Sequence, residues 1–248
     1  MVFTVDPEGF ALARTRAEQA PEGGIGTLKE KLLHRTLKYY FSPSEDCHEL
    51  ALGGYVADIL GENGVIEIQT GSYARLQEKL RAFLPLVPVT VVCPLIAQKE
   101  LCRVSPEGEL LPGRRSPKHQ TPFHIFEHLR GIREFLGDEN LRVCICMIEG
   151  RELRYPQRVR AGRKRVEQKE LVPDRLTAIT VLHRPADYLA LLPPELCDPF
   201  SVTELARAAD VPRELASLAV YVLKQAGFLL AAEKKGNAIL YRRAVEKL

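Results

Sequence analysis

Apolar positions along this chain change their period several times, and each change marks an element. Over residues 27–41, Leu28, Leu32, Leu37 and Tyr40 recur at roughly helical spacing and predict a helix. Residues 48–52, 54–60 and 65–70 are short apolar runs in strand style. Gly61-Glu62-Asn63-Gly64 between the last two predicts a hairpin, because an Asn-Gly pair tolerates the positive φ of a tight turn. Helical spacing returns over 72–84 with Leu76, Leu80 and Phe83, and an apolar strand is predicted at 87–95. An amphipathic helix over 123–136 and a strand over 141–148 follow. The order helix, three strands, helix, strand predicts an α/β domain.

Three polar residues interrupt those strands. A hairpin holds Asp58 near the end of one strand and Glu67 on its neighbour, and strand alternation points Glu67 and Gln69 to one side and Ile66 and Ile68 to the other. Burying carboxylates is costly unless something pairs them. Hard divalent cations bind through one or two carboxylates, waters and substrate phosphate oxygens, which makes this patch a candidate for Mg²⁺ or Mn²⁺. Alternation alone predicts a plainer outcome, with Asp58 closing a strand and Glu67 and Gln69 on the solvated face of a half-exposed sheet.

Asp58, eight intervening residues and Glu67-x-Gln69 follow a helix and precede the amphipathic stretch 72–84 and the strand 87–95. This arrangement resembles the PD-(D/E)XK (restriction endonuclease-like) nuclease superfamily in its Glu-x-Gln variant, over roughly residues 25–96, and also a group of uncharacterised bacterial proteins. The resemblance implies a mixed sheet flanked by helices, with Asp58, Glu67 and the Ile68 carbonyl holding the metal. Gln69 stands in the place of the usual lysine, where it would orient the attacking water but cannot carry a proton or a positive charge. In some relatives that lysine comes from the following helix, so Lys79 is the residue to watch, set against an ordinary surface lysine. Glu49 in the first strand and Glu30 on the preceding helix are candidates to complete the cluster. Glu30 reads more simply as an exposed acid paired with neighbouring Lys and Arg.

Composition narrows the classes. At 248 residues and 46% hydrophobic the chain can bury an ordinary core and suffices for one large domain or two small ones; two is the reading here. Cys47, Cys93, Cys102, Cys144, Cys146 and Cys197 show no Cys-x-x-Cys spacing, and four lie in apolar runs where reduced Cys packs as a small hydrophobe, which predicts a reducing cytoplasm. Residues 1–24 carry Asp6, Glu8, Glu18 and Glu22 without a long apolar core, so they read as neither signal peptide nor anchor. No run approaches the length of a membrane span, and no membrane partner is expected.

A net charge of +3 is too small to name a partner, but the cations are unevenly placed. Between Arg151 and Lys169 there are eight Lys and Arg, Arg163, Lys164 and Arg165 among them, against Glu152 and Glu167. A second cluster, Arg114, Arg115, Lys118 and His119, sits in a segment punctuated by Pro and Gly. Either cluster suits a phosphate backbone, and either suits a solvated linker. The stretch around Arg163 also reads as a domain boundary.

Within 123–136, His124-Ile125-Phe126-Glu127-His128 formally matches the inverted zinc-peptidase pattern, with both histidines on one helical face. A third ligand cannot be picked out, and Phe123, Phe126 and Leu129 favour packing. Further on, Ser201-Val202-Thr203-Glu204 opens a helix over 202–209 with a capping box, and Asp210-Val211-Pro212 breaks it. A longer helix spans 213–226, and two strands flank Lys234-Lys235-Gly236-Asn237. Helix, turn, helix and basic-tipped hairpin resemble the winged-helix domain, which implies nucleic-acid contacts at Arg213, Lys234 and Lys235, or a protein-docking role.

The domain organisation expected is therefore a 1–24 extension, a nuclease-like α/β domain at 25–160, a basic connecting segment at 161–188 and a winged helix at 189–248. The function expected is metal-dependent phosphodiester hydrolysis on nucleic acid, with double-stranded DNA as the partner and a homodimer left open. The alternative is a non-catalytic DNA-binding or regulatory protein on a degenerate nuclease-like scaffold.

Overall fold

Two long strands, apolar toward both sides, organise the molecule. A computed structural model describes residues 3–20, 31–71, 73–155 and 168–244. In it β4 (Val89–Arg103) and β6 (Leu141–Tyr155) lie side by side in parallel. Val89, Val91, Cys93 and Leu95, with Leu141, Val143, Ile145 and Met147, enter one buried apolar cluster. Val92, Cys144, Cys146 and Ile148 enter another on the opposite face. Strands covered on both faces read as near-continuous apolar runs, which is why this pair is plain in the sequence.

Around them, β1 (His48–Leu52), β2 (Tyr55–Gly61), β3 (Gly64–Ile68) and β7 (Gln168–Leu182) complete a mixed sheet in the order β1-β2-β3-β4-β6-β7. A two-residue strand, β5 (Arg114–Arg115), is its seventh member and pairs with β4. Strands β3, β4 and β6 are parallel; the other pairings are antiparallel. Gly53 and Gly54, both at positive φ, turn β1 into β2. Gly64 has φ +101, and a Cβ there would sit 2.1 Å from the Pro88 carbonyl oxygen, so only glycine lets β3 approach so closely.

Helices α1 (Pro7–Gln19) and α2 (Leu32–Phe41) cover the face of the second cluster, burying Phe10, Leu33 and Leu37. Asp6 caps α1, accepting from the Gly9 N–H at 3.0 Å. Helix α1, expected only as part of a 1–24 extension, therefore belongs to the sheet's packing. On the other face lie α3 (Ala74–Phe83), with Leu76, Leu80 and Phe83 fully buried, and the five-residue α4 (Ile125–Leu129). Each such buried side chain contributes about 1.5–3 kcal/mol relative to exposure.

After α5 (Pro185–Leu189) the chain forms β8 (Phe200–Ser201), α6 (Val202–Ala208), α7 (Arg213–Gln225), β9 (Leu229–Lys235) and β10 (Ala238–Arg243). The three strands make a small sheet in the order β8-β10-β9. Ser201 and Glu204 form the capping box of α6. Helix α7 packs on α4, and its Leu215, Ala219 and Leu223 join the same cluster as Phe126 and Leu129. One apolar core thus runs through both parts.

Three expectations are corrected. Residues 168–182 are strand β7 in the main sheet, paired along β6, and not a connecting segment between domains. Strands β4 and β6 continue well past Leu95 and Ile148, because there charged side chains joined by ion pairs replace the apolar signal. The helix expected over 123–136 is α4 between two 3-10 turns, Pro122–His124 and Arg133–Phe135. Ile125, Phe126, Leu129, Ile132 and Leu136 keep helical spacing and are all buried, although the backbone is broken at Gly131, which lies against Tyr73. The start of the helix expected at 27, with Glu30, lies outside the described residues.

Candidate active site

Strand β3 ends at Ile68 while both neighbours run on. Its partner β2 continues through Ala57, Val56 and Tyr55, paired there with β1, and on the other side β4 continues to Arg103. The result is a notch in the sheet, two strand spacings or about 10 Å across. The β2–β3 ladder covers Ile59–Ile66, Leu60–Val65 and Gly61–Gly64 and stops at the level of Asp58 and Glu67. There the side chains take over: the Asp58 N–H donates to Glu67 Oε1 at 3.1 Å, and the Ile68 N–H donates to Asp58 Oδ2 at 2.8 Å. Each carboxylate is held by a backbone group of the other's strand, so both acids sit at the floor of the notch, Asp58 against His34 of α2 and Glu67 against Lys79 of α3.

Two further side chains close on them. Lys79 on α3 donates to Glu67 Oε2 at 2.7 Å, and His34 on α2 places Nε2 3.3 Å from Asp58 Oδ2. Glu67 shares the face of Val65, toward α3, while Ile66 and Ile68 turn to the opposite cluster, as strand alternation requires. Glu67 is nearly enclosed, at 5% side-chain exposure, and Asp58 less so at 21%.

Their proton affinities diverge. Burial and the neighbouring Asp58 charge push the Glu67 carboxyl up to about 7, against the opposing pull of Lys79. Burial also acts to raise Asp58, but the His34 hydrogen bond and charge, the Ile68 N–H and the Lys79 charge outweigh it and hold Asp58 below its ordinary value. Two adjacent acids with separated affinities are the arrangement that acid–base and metal sites use.

Gln69 follows directly, its N–H donating to the Val92 carbonyl at 2.8 Å at the rim of the notch. Glu49 stands opposite Asp58 in the strand register, at φ 55, but its carboxylate accepts from Lys38 at 2.9 Å instead of joining the acid pair. Among the described residues no group of three His, Cys, Asp and Glu side chains is arranged to hold a metal ion. A cation here would rest on two carboxylates plus waters or substrate oxygens, a donor set that suits Mg²⁺ or Mn²⁺. The Lys79 ammonium, 2.7 Å from Glu67 Oε2, already sets one positive charge against this pair.

Arg114, Arg115 and Lys118 are exposed beside β4, Arg213 is exposed at the start of α7, and Lys234 and Lys235 are exposed at the end of β9. Arg163, Lys164 and Arg165 lie outside the described residues. His124 accepts the Thr121 N–H at 3.0 Å and His128 packs on the Tyr73 ring, so capping and packing occupy the zinc-like pair. His34 is the residue that sequence reasoning missed. A lone histidine on an amphipathic helix carries no motif, although its spacing of four from Lys38 sets both on one side of α2, each against an acid of the β1–β2 hairpin.

Residues 31–183 match the family described as Domain of unknown function (DUF8091). An "Uncharacterized protein" of Treponema pallidum (strain Nichols) is 28% identical over 223 residues, covering 88% of this chain and 87% of its own length. No solved structure gives a significant match. No helix among the described residues is long and apolar enough to cross a membrane.

Proposed function

The chain belongs to the family described as Domain of unknown function (DUF8091), and from the notch itself we propose that it is a metal-dependent phosphodiesterase acting on nucleic acid, of the PD-(D/E)XK type. The observation that carries this reading is the reciprocal locking of Asp58 and Glu67 at the end of β3, with Lys79 against Glu67. Asp58 and Glu67 would hold Mg²⁺ or Mn²⁺, which when bound lowers the pKa of a water and neutralises charge building on the phosphate. The chain's own groups do the rest. His34 and the Ile68 N–H fix the Asp58 carboxylate in its ionised form. Lys79, on the helix after β3, supplies the positive charge that Gln69 lacks, and Gln69 orients the attacking water. The C-terminal helices and hairpin read as a winged helix, with Arg213, Lys234 and Lys235 as backbone contacts. Double-stranded DNA is the substrate proposed.

One observation favours a second reading, a non-catalytic DNA-binding or regulatory protein: Lys79 already provides Glu67 with a cation. Incubation with supercoiled, linear and single-stranded DNA and with RNA, in Mg²⁺, Mn²⁺ or chelator, separates the two. The enzyme reading expects cleavage that vanishes with chelator and in Asp58→Ala and Glu67→Ala. Binding without cleavage under every condition, together with a melting temperature indifferent to either cation, leaves the scaffold.

A further inference from the structure

We infer that residues 113–120 form a track for the sugar–phosphate backbone of a nucleic acid, leading away from the acid pair along the edge of β4; this rests on reading the pair as a phosphodiester site. Because β3 stops at Ile68, the edge of β4 beyond Val92 is open to another partner, and this segment takes it. The Gln120 N–H donates to the Ile96 carbonyl at 2.9 Å, while Gln120 Oε1 accepts from the Ile96 N–H at 2.7 Å. The Ser116 N–H donates to the Lys99 carbonyl at 2.9 Å, and Arg115 and Arg114 pair with Glu100 and Leu101. Gln69, bonded to Val92, stands at the head of the same edge. From Val92 to Glu100 the strand advances roughly 26 Å, the axial rise of about eight base pairs of a duplex.

Charge follows that line. Residues 113–120 contain Arg114, Arg115, Lys118 and His119 and no acid. Arg114, Arg115 and Lys118 are exposed, and no described residue forms an ion pair with them. The contrast with their neighbours is sharp: Lys99 and Arg154 are held by Glu152, Arg151 by Asp174 and Arg175 by Glu149. Glu100, the acid opposite Arg115 in the pairing, lies against the Gly113 backbone. The far end opens into a groove of about 340 Å³ whose lining sets Lys99, Arg115, Arg151 and Arg175 against Glu100, Glu149 and Asp174, a margin of one positive charge. Exposed cations with no ion-pair partner among the described residues, carried along the same edge of β4 that Gln69 heads, complement a linear polyanion passing over the acid pair.

The test is binding of fluorescently labelled single-stranded and duplex oligonucleotides to the full chain in chelator, where no cleavage occurs, across a salt series. For the triple variant R114A/R115A/K118A we expect affinity at low salt to fall at least tenfold. The slope of log affinity against log salt should flatten by about 2–3, as expected for three lost phosphate contacts. The charge-keeping variant R114K/R115K should retain most of the affinity. An unchanged slope in the triple variant, or the absence of binding by the wild-type chain, overturns the track. Cleavage of the same oligonucleotides with Mg²⁺ or Mn²⁺ is scored separately. Track-dependent binding without cleavage sinks the phosphodiesterase reading alone, and cleavage with wild-type affinity in the triple variant sinks the track alone.

Discussion

Two charged regions of one sheet are built on opposite terms. Past the apolar part of β4, β6 and β7, acids meet cations in matched sets. Asp174 accepts two bonds from Arg151, at 2.9 and 2.7 Å, and one from Arg14 at 3.1 Å, while Glu152 is shared by Lys99 and Arg154. Glu152 sits below its ordinary proton affinity because, against the cost of burial, its two cations win. In the notch the balance is reversed: two acids face each other, and Glu67 is driven up to about 7 despite Lys79. Structural ion networks lower the free energy of their charges; a place where the fold tolerates a poorly stabilised carboxylate is a candidate for function. Substitutions should therefore have opposite effects in the two regions.

The largest difference is expected in activity. Asp58→Asn should reduce Mg²⁺-dependent cleavage at least about 100-fold while the chain stays folded, whereas Glu152→Gln should stay within about threefold of wild type. Comparable losses from both would mean that the two regions do not differ in role. Gel-based cleavage rates with circular dichroism as the folding control decide it.

Next comes Lys79→Met, read as a urea midpoint. Removing the cation leaves Glu67 enclosed and unpaired, and at pH 8 we expect a loss of about 2–3 kcal/mol, below the usual cost of breaking a buried pair because Lys79 is 21% exposed. The loss should shrink at pH 5, where Glu67 holds its own proton. Arg154→Met should cost about 1 kcal/mol or less, since Lys99 still serves Glu152. A pH-independent loss in Lys79→Met would show that the stem's packing, and not the charge, is what matters.

The contrast also explains what could be read from the chain. Asp58, Glu67 and Gln69 stand out because polar residues in apolar strands are conspicuous, and Lys79 only through the resemblance, which implies a lysine from the following helix. His34 does not, since its role depends on α2 lying over a hairpin to which no local signal ties it. The distal extension was invisible for a related reason: Gln98 to Arg103, Glu149 to Tyr155 and the first half of β7 carry mixed charges without period-2 apolar alternation. Their partners lie on different strands, so only the pairing reveals why charge is tolerated there. Helix α1, with two Glu and two Arg, gives little signal because its buried residues are Phe10 and two alanines, Ala13 and Ala17, a weak apolar stripe.

A smaller effect, of opposite sign in the two regions, is expected in the pH dependence of stability. The ordinary Glu value is 4.5 and folded Glu67 titrates near 7, so between these the folded chain keeps a proton that the unfolded chain has released. Stability attributable to this group is greatest below pH 4.5 and falls as pH rises toward 7. Glu67→Gln abolishes that fall and should be more stable than wild type at pH 8, by about 1–3 kcal/mol, with the gain vanishing below pH 4.5. For Glu152 the folded value is lowered, so its contribution is present above 4.5 and lost as pH falls through the folded value. Glu152→Gln should be destabilised at neutral pH by about 0.5–1 kcal/mol.

The smallest effect tests the rim of the ion network. Arg175 pairs with Glu149 but its side chain is 74% exposed, so water screens the attraction and the long side chain gives up entropy to make it. Arg175→Ala should change the unfolding free energy by no more than about 0.5 kcal/mol, and 0.5 M NaCl should erase even that. Arg151→Ala, by contrast, removes a two-pronged grip on Asp174 and leaves only Arg14 there, so its cost should exceed that of Arg175→Ala and survive the salt. If the two variants proved equal, the network would be a set of independent surface pairs. The matched half of the comparison would then owe its order to the β-ladder of β6 and β7 alone.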